Sequence, residues 1–150
     1  MLTLLALLLS PACEPARIEA AIYASALAWG HDPATFRGLA VVESGLEANP
    51  RRYGTGKRWG NPPHGRRWRI CGLYQLRGGM SGAGKPDWQI PPCEILVRSP
   101  VLSAWYGAAH LDGWRRACGR KAMFNAYNRG TCTGGDGSFT TAVVKAAKRR

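Results

Sequence analysis

Acidic residues are scarce in this chain of 150 residues: nine Asp and Glu stand against twenty-one Lys and Arg, a formal charge of +12. That balance is far from that of an ordinary cytoplasmic enzyme and implies a polyanionic partner: nucleic acid, an anionic membrane surface, or the acidic bacterial envelope. Histidines are few, and no His or Cys falls at zinc-ligand spacing, so nothing in the sequence calls for a metal or another cofactor. No internal repeat is present, and no run of alternating residues is long enough to demand a sheet. A chain of this length forms one domain, large enough to bury a core of several helices and too short for a second domain.

The long apolar run, Met1 to Leu9, is too short to span a bilayer. Followed by Ser10-Pro-Ala12, it reads as a signal peptide over 1–12, which leaves 13–150 as the mature domain, exported to the periplasm or the cell exterior. Cys13 stands where the lipid-bearing cysteine of a bacterial lipoprotein would stand, so membrane attachment would come only through lipidation of Cys13. The other cysteines, Cys71, Cys93, Cys118 and Cys132, are an even set in an exported chain, which reads as two disulfides.

Helical punctuation organises the rest. Ile18, Ile22, Ala26 and Trp29 share one helical face between Pro15 and Trp29, ahead of a stop at Gly30. Asp32 and Pro33 then form a cap-plus-proline start, and that helix runs to Glu43-Ser44 before Gly45 ends it in the left-handed conformation. Ser99 and Pro100 repeat the signature ahead of a helix toward Cys118. A further helix is expected from about Lys121 to Arg129, and Ser138 is expected to cap the last. Between Asn49 and Arg69 the periodicity vanishes, leaving a long irregular loop with Arg51, Arg52, Lys57, Arg58, Arg66, Arg67 and Arg69, interleaved with Trp59 and Trp68. Cations beside indoles suit stacking on sugar rings or bases as well as anion contact. The whole reads as mainly α.

Three short segments stand in order: Glu43-Ser44-Gly45, Gly72-Leu73-Tyr74-Gln75, and Ala126-Tyr127-Asn128 followed by Gly130. Together they resemble the soluble-type lytic transglycosylases, over roughly Ile18 to Val144. The resemblance implies a helical fold like goose-type lysozyme, with the long basic loop as an addition. The chain departs from the family pattern at Tyr74, where Met is common, and at Arg129, where Ala is usual; the enlarged loop bears on substrate preference more than on chemistry.

What the resemblance implies is cleavage of the MurNAc-GlcNAc β-1,4 bond of peptidoglycan glycan strands, with Glu43 as the single essential acid and base. Its placement after Leu39-Ala-Val-Val42, at the end of a helix expected to be buried, supports that role, because desolvation raises a carboxyl pKa and keeps a proton available for a glycosidic oxygen. Ordinary glycosidases need a second carboxylate. Only Glu47 lies in a motif near Glu43, and nothing in the sequence fixes its direction. In the resembling family the substrate supplies the missing group: the N-acetyl oxygen of muramic acid attacks its own anomeric carbon, and the glutamate then acts as base on the 6-hydroxyl, leaving a 1,6-anhydro end.

By motif match the substrate-binding set is Ser44, Tyr74, Gln75, Tyr127 and Asn128. Ser44 would orient the N-acetyl group, Gln75 would contact the sugar, Tyr127 would hydrogen-bond Glu43 or the N-acetyl group, and Asn128 would brace the helix end. The residues leave a second reading open for Tyr74 and Tyr127, as core aromatics with satisfied hydroxyls. The four cysteines allow three pairings; nearness in sequence favours Cys71 with Cys93 and Cys118 with Cys132, each bracketing a motif-bearing segment. Two alternatives stand beside the transglycosylase: a goose-type-like lysozyme that hydrolyses the same bond with an acid from the loop or from around Asp87, and a secreted basic protein with a decayed site that binds the anionic envelope or DNA, a reading the intact Glu43 argues against.

Overall fold

The computed structural model describes residues 14–47, 51–53, 69–77 and 90–149. The segment 1–12, Cys13, Trp59, Trp68, Asp87 and the interior of the basic loop lie outside the described residues. The elements in chain order are α1 (Glu14–Ala28), α2 (Pro33–Ser44), β1 (Arg51–Tyr53), β2 (Arg69–Cys71), β3 (Leu76–Arg77), α3 (Cys93–Leu96), α4 (Pro100–Cys118), α5 (Met123–Arg129) and α6 (Ser138–Ala147). The chain is mainly helical, as expected. No described helix is long and apolar enough to cross a membrane.

The caps act where the sequence places them. Asp32 accepts from Thr35 N at 2.8 Å with Pro33 in the first turn, and Gly45, at φ 67°, closes α2 by donating its N–H to Val41 O. Ser99 accepts from Leu102 N at the start of α4, again ahead of a proline. At α6 the expectation needs correction. Ser138 is the first helical residue and Gly137 occupies the cap position, while Ser138 N donates to Asp136 Oδ1 at 2.9 Å. The aspartate accepts a backbone N–H at that start in place of a serine hydroxyl.

A small sheet is the other departure. Strands β1, β2 and β3 form an antiparallel meander, with Arg51 opposite Cys71 and Cys71 opposite Leu76. The two ends of the basic segment, expected as irregular, therefore pair with each other. Strands this short show no alternation.

The core joins all the longer helices. Ile18, Ile22 and Ala26 of α1, Phe36 and Leu39 of α2, Ala104, Ala108 and Leu111 of α4, Phe124 of α5 and Val143 of α6 are buried together. Helix α4 packs on α1 and α5, and α2 packs on α6. Gly38 makes the last contact possible, since a Cβ there would collide with the Val143 carbonyl and sit 2.8 Å from Ala147 N. Two disulfides tie the periphery down: Cys71 to Cys93, joining β2 to α3, and Cys118 to Cys132, joining the end of α4 to the segment after α5. This is the pairing favoured by nearness in sequence.

Candidate active site

The second motif is a tight connection between two strands. Gly72 to Gln75 link β2 to β3, with Gln75 N donating to Gly72 O at 3.1 Å. Its middle faces inward: Leu73 and Tyr74 are fully buried, and Leu73 N donates to the buried hydroxyl oxygen of Ser103 on α4 at 2.9 Å. Gln75 sits at φ 46°, in the left-handed region that a residue with a Cβ rarely enters. Leu46, directly after the first motif, is in the same region at φ 66°. Such positions cost about 1–3 kcal/mol each and gather where a fold must aim a side chain.

Tyr74 organises the motif from inside. Its ring stacks on Phe36 of α2, with centroids 4.2 Å apart and planes 11° from parallel, and its hydroxyl donates to Phe36 O at 3.2 Å. The second motif is thus fastened to the helix that ends on Glu43. Because the ring has no exposed surface, Tyr74 serves as a core aromatic with a satisfied hydroxyl and offers nothing for a sugar to touch. Of the two readings open for it, the core reading is the observed one. Its carbonyl, however, accepts the hydroxyl of Tyr127 at 2.7 Å, which joins the second motif to the third.

Glu43 closes the triangle. It stands half-buried in the last turn of α2, and its negative charge reaches the Tyr127 hydroxyl. Burial pushes the Tyr127 phenol well above its ordinary value, and Glu43 pushes it further in the same direction. Burial also raises Tyr74, with smaller contributions from Tyr127 and Glu19. Both phenols therefore remain protonated and able to donate near neutral pH. Segments whose first residues, Glu43, Gly72 and Ala126, lie 29 and 54 positions apart in sequence are linked through Tyr74 and Tyr127.

The remaining expected residues are placed less uniformly. Ser44 is half-buried and donates to Ala40 O, one turn back on its own helix, at 3.0 Å. Gln75 Nε2 donates to Gly72 O at 3.1 Å, folding the side chain over its own turn. Asn128 is exposed. Glu47 is exposed beyond the stop at Gly45.

Residues not anticipated complete the surroundings. Phe36 carries the Tyr74 ring, and Ser103 holds the Leu73 amide. His110 of α4 packs edge to face with Tyr127 at 5.2 Å. His110 and Trp114 stand four residues apart on one helix, a spacing visible in the sequence, but only the fold shows which side of α4 meets Tyr127.

Most other carboxylates serve the fold. Glu19 pairs with Arg37, Glu14 with Arg17, and buried Asp112 with Arg115 and Arg116, while Asp32 and Asp136 accept backbone N–H groups at helix starts. No group of three or more His, Cys, Asp or Glu that could hold a metal occurs among the described residues. The chain matches no protein-family model, no curated protein and no solved structure.

Proposed function

We propose that this protein is a peptidoglycan-cleaving enzyme that works with one carboxylate. Glu43 first protonates the glycosidic oxygen between MurNAc and GlcNAc while the N-acetyl oxygen of muramic acid bonds to its own anomeric carbon, displacing the neighbouring sugar. The carboxylate then takes the proton of the 6-hydroxyl as that oxygen attacks the same carbon, expelling the N-acetyl oxygen. The product is a 1,6-anhydro end, with no water consumed. Tyr127, whose single proton is committed to the Tyr74 carbonyl, presents its phenol oxygen as the neighbouring acceptor for the protonated Glu43 carboxyl or for the N–H of the N-acetyl group.

The observation that carries this reading is the linkage of the three segments: Tyr127 bonds the Tyr74 carbonyl of the Gly72–Gln75 turn, Tyr74 bonds Phe36 on the helix that ends on Glu43, and the charge of Glu43 acts on the Tyr127 phenol. Among the described residues, the engagement of Glu14, Glu19, Asp32, Asp112 and Asp136 in ion pairs and caps is in keeping with a mechanism that uses Glu43 alone. Two disulfides suit an oxidising compartment, in keeping with export, and the charge of +12 suits an anionic envelope. Zymography on purified peptidoglycan tests the proposal. Clearing by the wild type and none by a folded Glu43→Gln variant is the expected result; equal clearing by both would remove Glu43 from the chemistry.

A further inference from the structure

Tyr127 is held at its hydroxyl by the Tyr74 carbonyl, and a second contact acts on its ring. His110 meets that ring edge to face, with centroids 5.2 Å apart and planes at 75°. One turn further along α4, Trp114 Nε1 lies 3.2 Å from His110 Nε2. An indole N–H can only donate. His110 Nε2 must therefore present its lone pair, which makes the imidazole neutral and places its proton on Nδ1. Both side chains are part-buried, so competing water is limited, and the i, i+4 spacing brings them together on one regular helix. A protonated ring would set two donors against each other and break the contact.

We propose that His110 is a positioning residue of this site: a neutral imidazole of fixed tautomer, anchored by Trp114, whose ring backs Tyr127 and keeps its hydroxyl on the Tyr74 carbonyl beside Glu43. The catalytic consequence rests on the reading of Glu43 as acid and base; the anchoring does not. The support acts on orientation, and misplacing a hydrogen-bonding group beside the acid affects the chemical step more than binding of a long glycan.

Two-bond 1H–15N spectra of histidine-labelled full chain report the ring tautomer directly. The wild type should show His110 with its proton on Nδ1 at neutral pH, and Trp114→Phe should show a mixture of tautomers with unchanged circular dichroism. On peptidoglycan, Trp114→Phe should lower kcat on the order of tenfold with KM nearly unchanged. His110→Ala should lower it at least as far, and His110→Phe, which returns a ring against Tyr127, should recover most of the loss. A proton on Nε2 in the wild type, or an unchanged kcat in both Trp114→Phe and His110→Ala, overturns the proposal. Glu43→Gln measured alongside separates the two claims: full activity there defeats the reading of Glu43, while the ring spectra still decide the anchoring.

Discussion

The hydroxyl of Tyr127 donates to the backbone carbonyl of Tyr74 at 2.7 Å, and this bond joins a helix near the C-terminus to the turn between β2 and β3. It fixes the phenol, which burial and the charge of Glu43 both push above its ordinary pKa, without using a side-chain acceptor. Tyr127→Phe removes the donor and leaves the carbonyl of a buried residue without its partner. Unfolding in urea should show a loss of about 1–3 kcal/mol. The rate on peptidoglycan should fall on the order of 100-fold, because Glu43 loses the fixed phenol oxygen that orients it. Wild-type kinetics in this variant would show that the phenol is structural only.

Gly107 on α4 tests the same connection from behind. A Cβ at this position would lie 2.5 Å from the Tyr74 ring, which is already stacked on Phe36 and has nowhere to retreat. Gly107→Ala should destabilise the protein by about 1–3 kcal/mol through overpacking. It should also lower kcat, because a displaced Tyr74 carries the Tyr127 acceptor with it. A thermal melt and a rate measurement check the pair of effects; lost stability with an intact rate would mean that the turn moves without disturbing the site.

How much of this arrangement can be read from the sequence follows from how local each cause is. The ends of α2 and α4 are legible because Asp32-Pro33, Ser99-Pro100 and Gly45 act within one turn of themselves. The disulfide pairing is legible from nearness in sequence, and the Cα separations of 5.6 and 5.1 Å suit such bridges. Strands of two and three residues carry no alternation, and the four-residue helix α3 is held by the Cys71 to Cys93 bridge and by packing on α4. Neither announces itself. The motifs themselves locate Glu43 and Tyr127, but whether a tyrosine faces a groove or the core depends on partners far along the chain. Tyr74 is buried because Phe36 and Gly107 make room for its ring, and nothing near Tyr74 in sequence says so.

The two disulfides should differ in weight. Cys71 and Cys93 are buried in the core, whereas Cys132 is exposed. Replacing either pair by Ala should cost about 2–5 kcal/mol, with the larger loss for Cys71 with Cys93, since burial separates the two bridges more than loop length does. The same replacement should also impair cleavage, because Cys71 directly precedes the Gly72–Gln75 turn. Denaturant midpoints and zymograms of the two double variants measure this, and a larger loss from Cys118 with Cys132 would contradict it.

His31 gives the fold a dependence on pH. It is buried, its Nε2 donates to Ala108 O at 2.9 Å, and its ring stacks on Phe36. Burial lowers its pKa from 6.5, more than the Ala108 carbonyl and Asp112 raise it; Arg115 and Arg120 lower it further. The unfolded chain therefore binds the proton more readily than the folded one. The contribution is fully present above about pH 6.5 and declines as pH falls toward the depressed folded value. Asp32 and Asp136, lowered from 3.8 by hydrogen bonds from Thr35 and Ser138, act in the same direction at lower pH. Melting temperatures should fall between pH 7 and pH 5, and His31→Gln should flatten that interval. An unchanged slope in the variant would place the dependence on another group.

The mass of the new glycan ends tests the single-carboxylate mechanism most directly. Transfer to the 6-hydroxyl leaves a 1,6-anhydro end, whereas hydrolysis leaves a reducing sugar heavier by one water. Digestion of peptidoglycan in 18O-labelled water, followed by mass spectrometry, should show anhydro ends, little incorporated label, and no product from Glu43→Gln. Reducing ends that carry the label would contradict the account and require a second group to activate water.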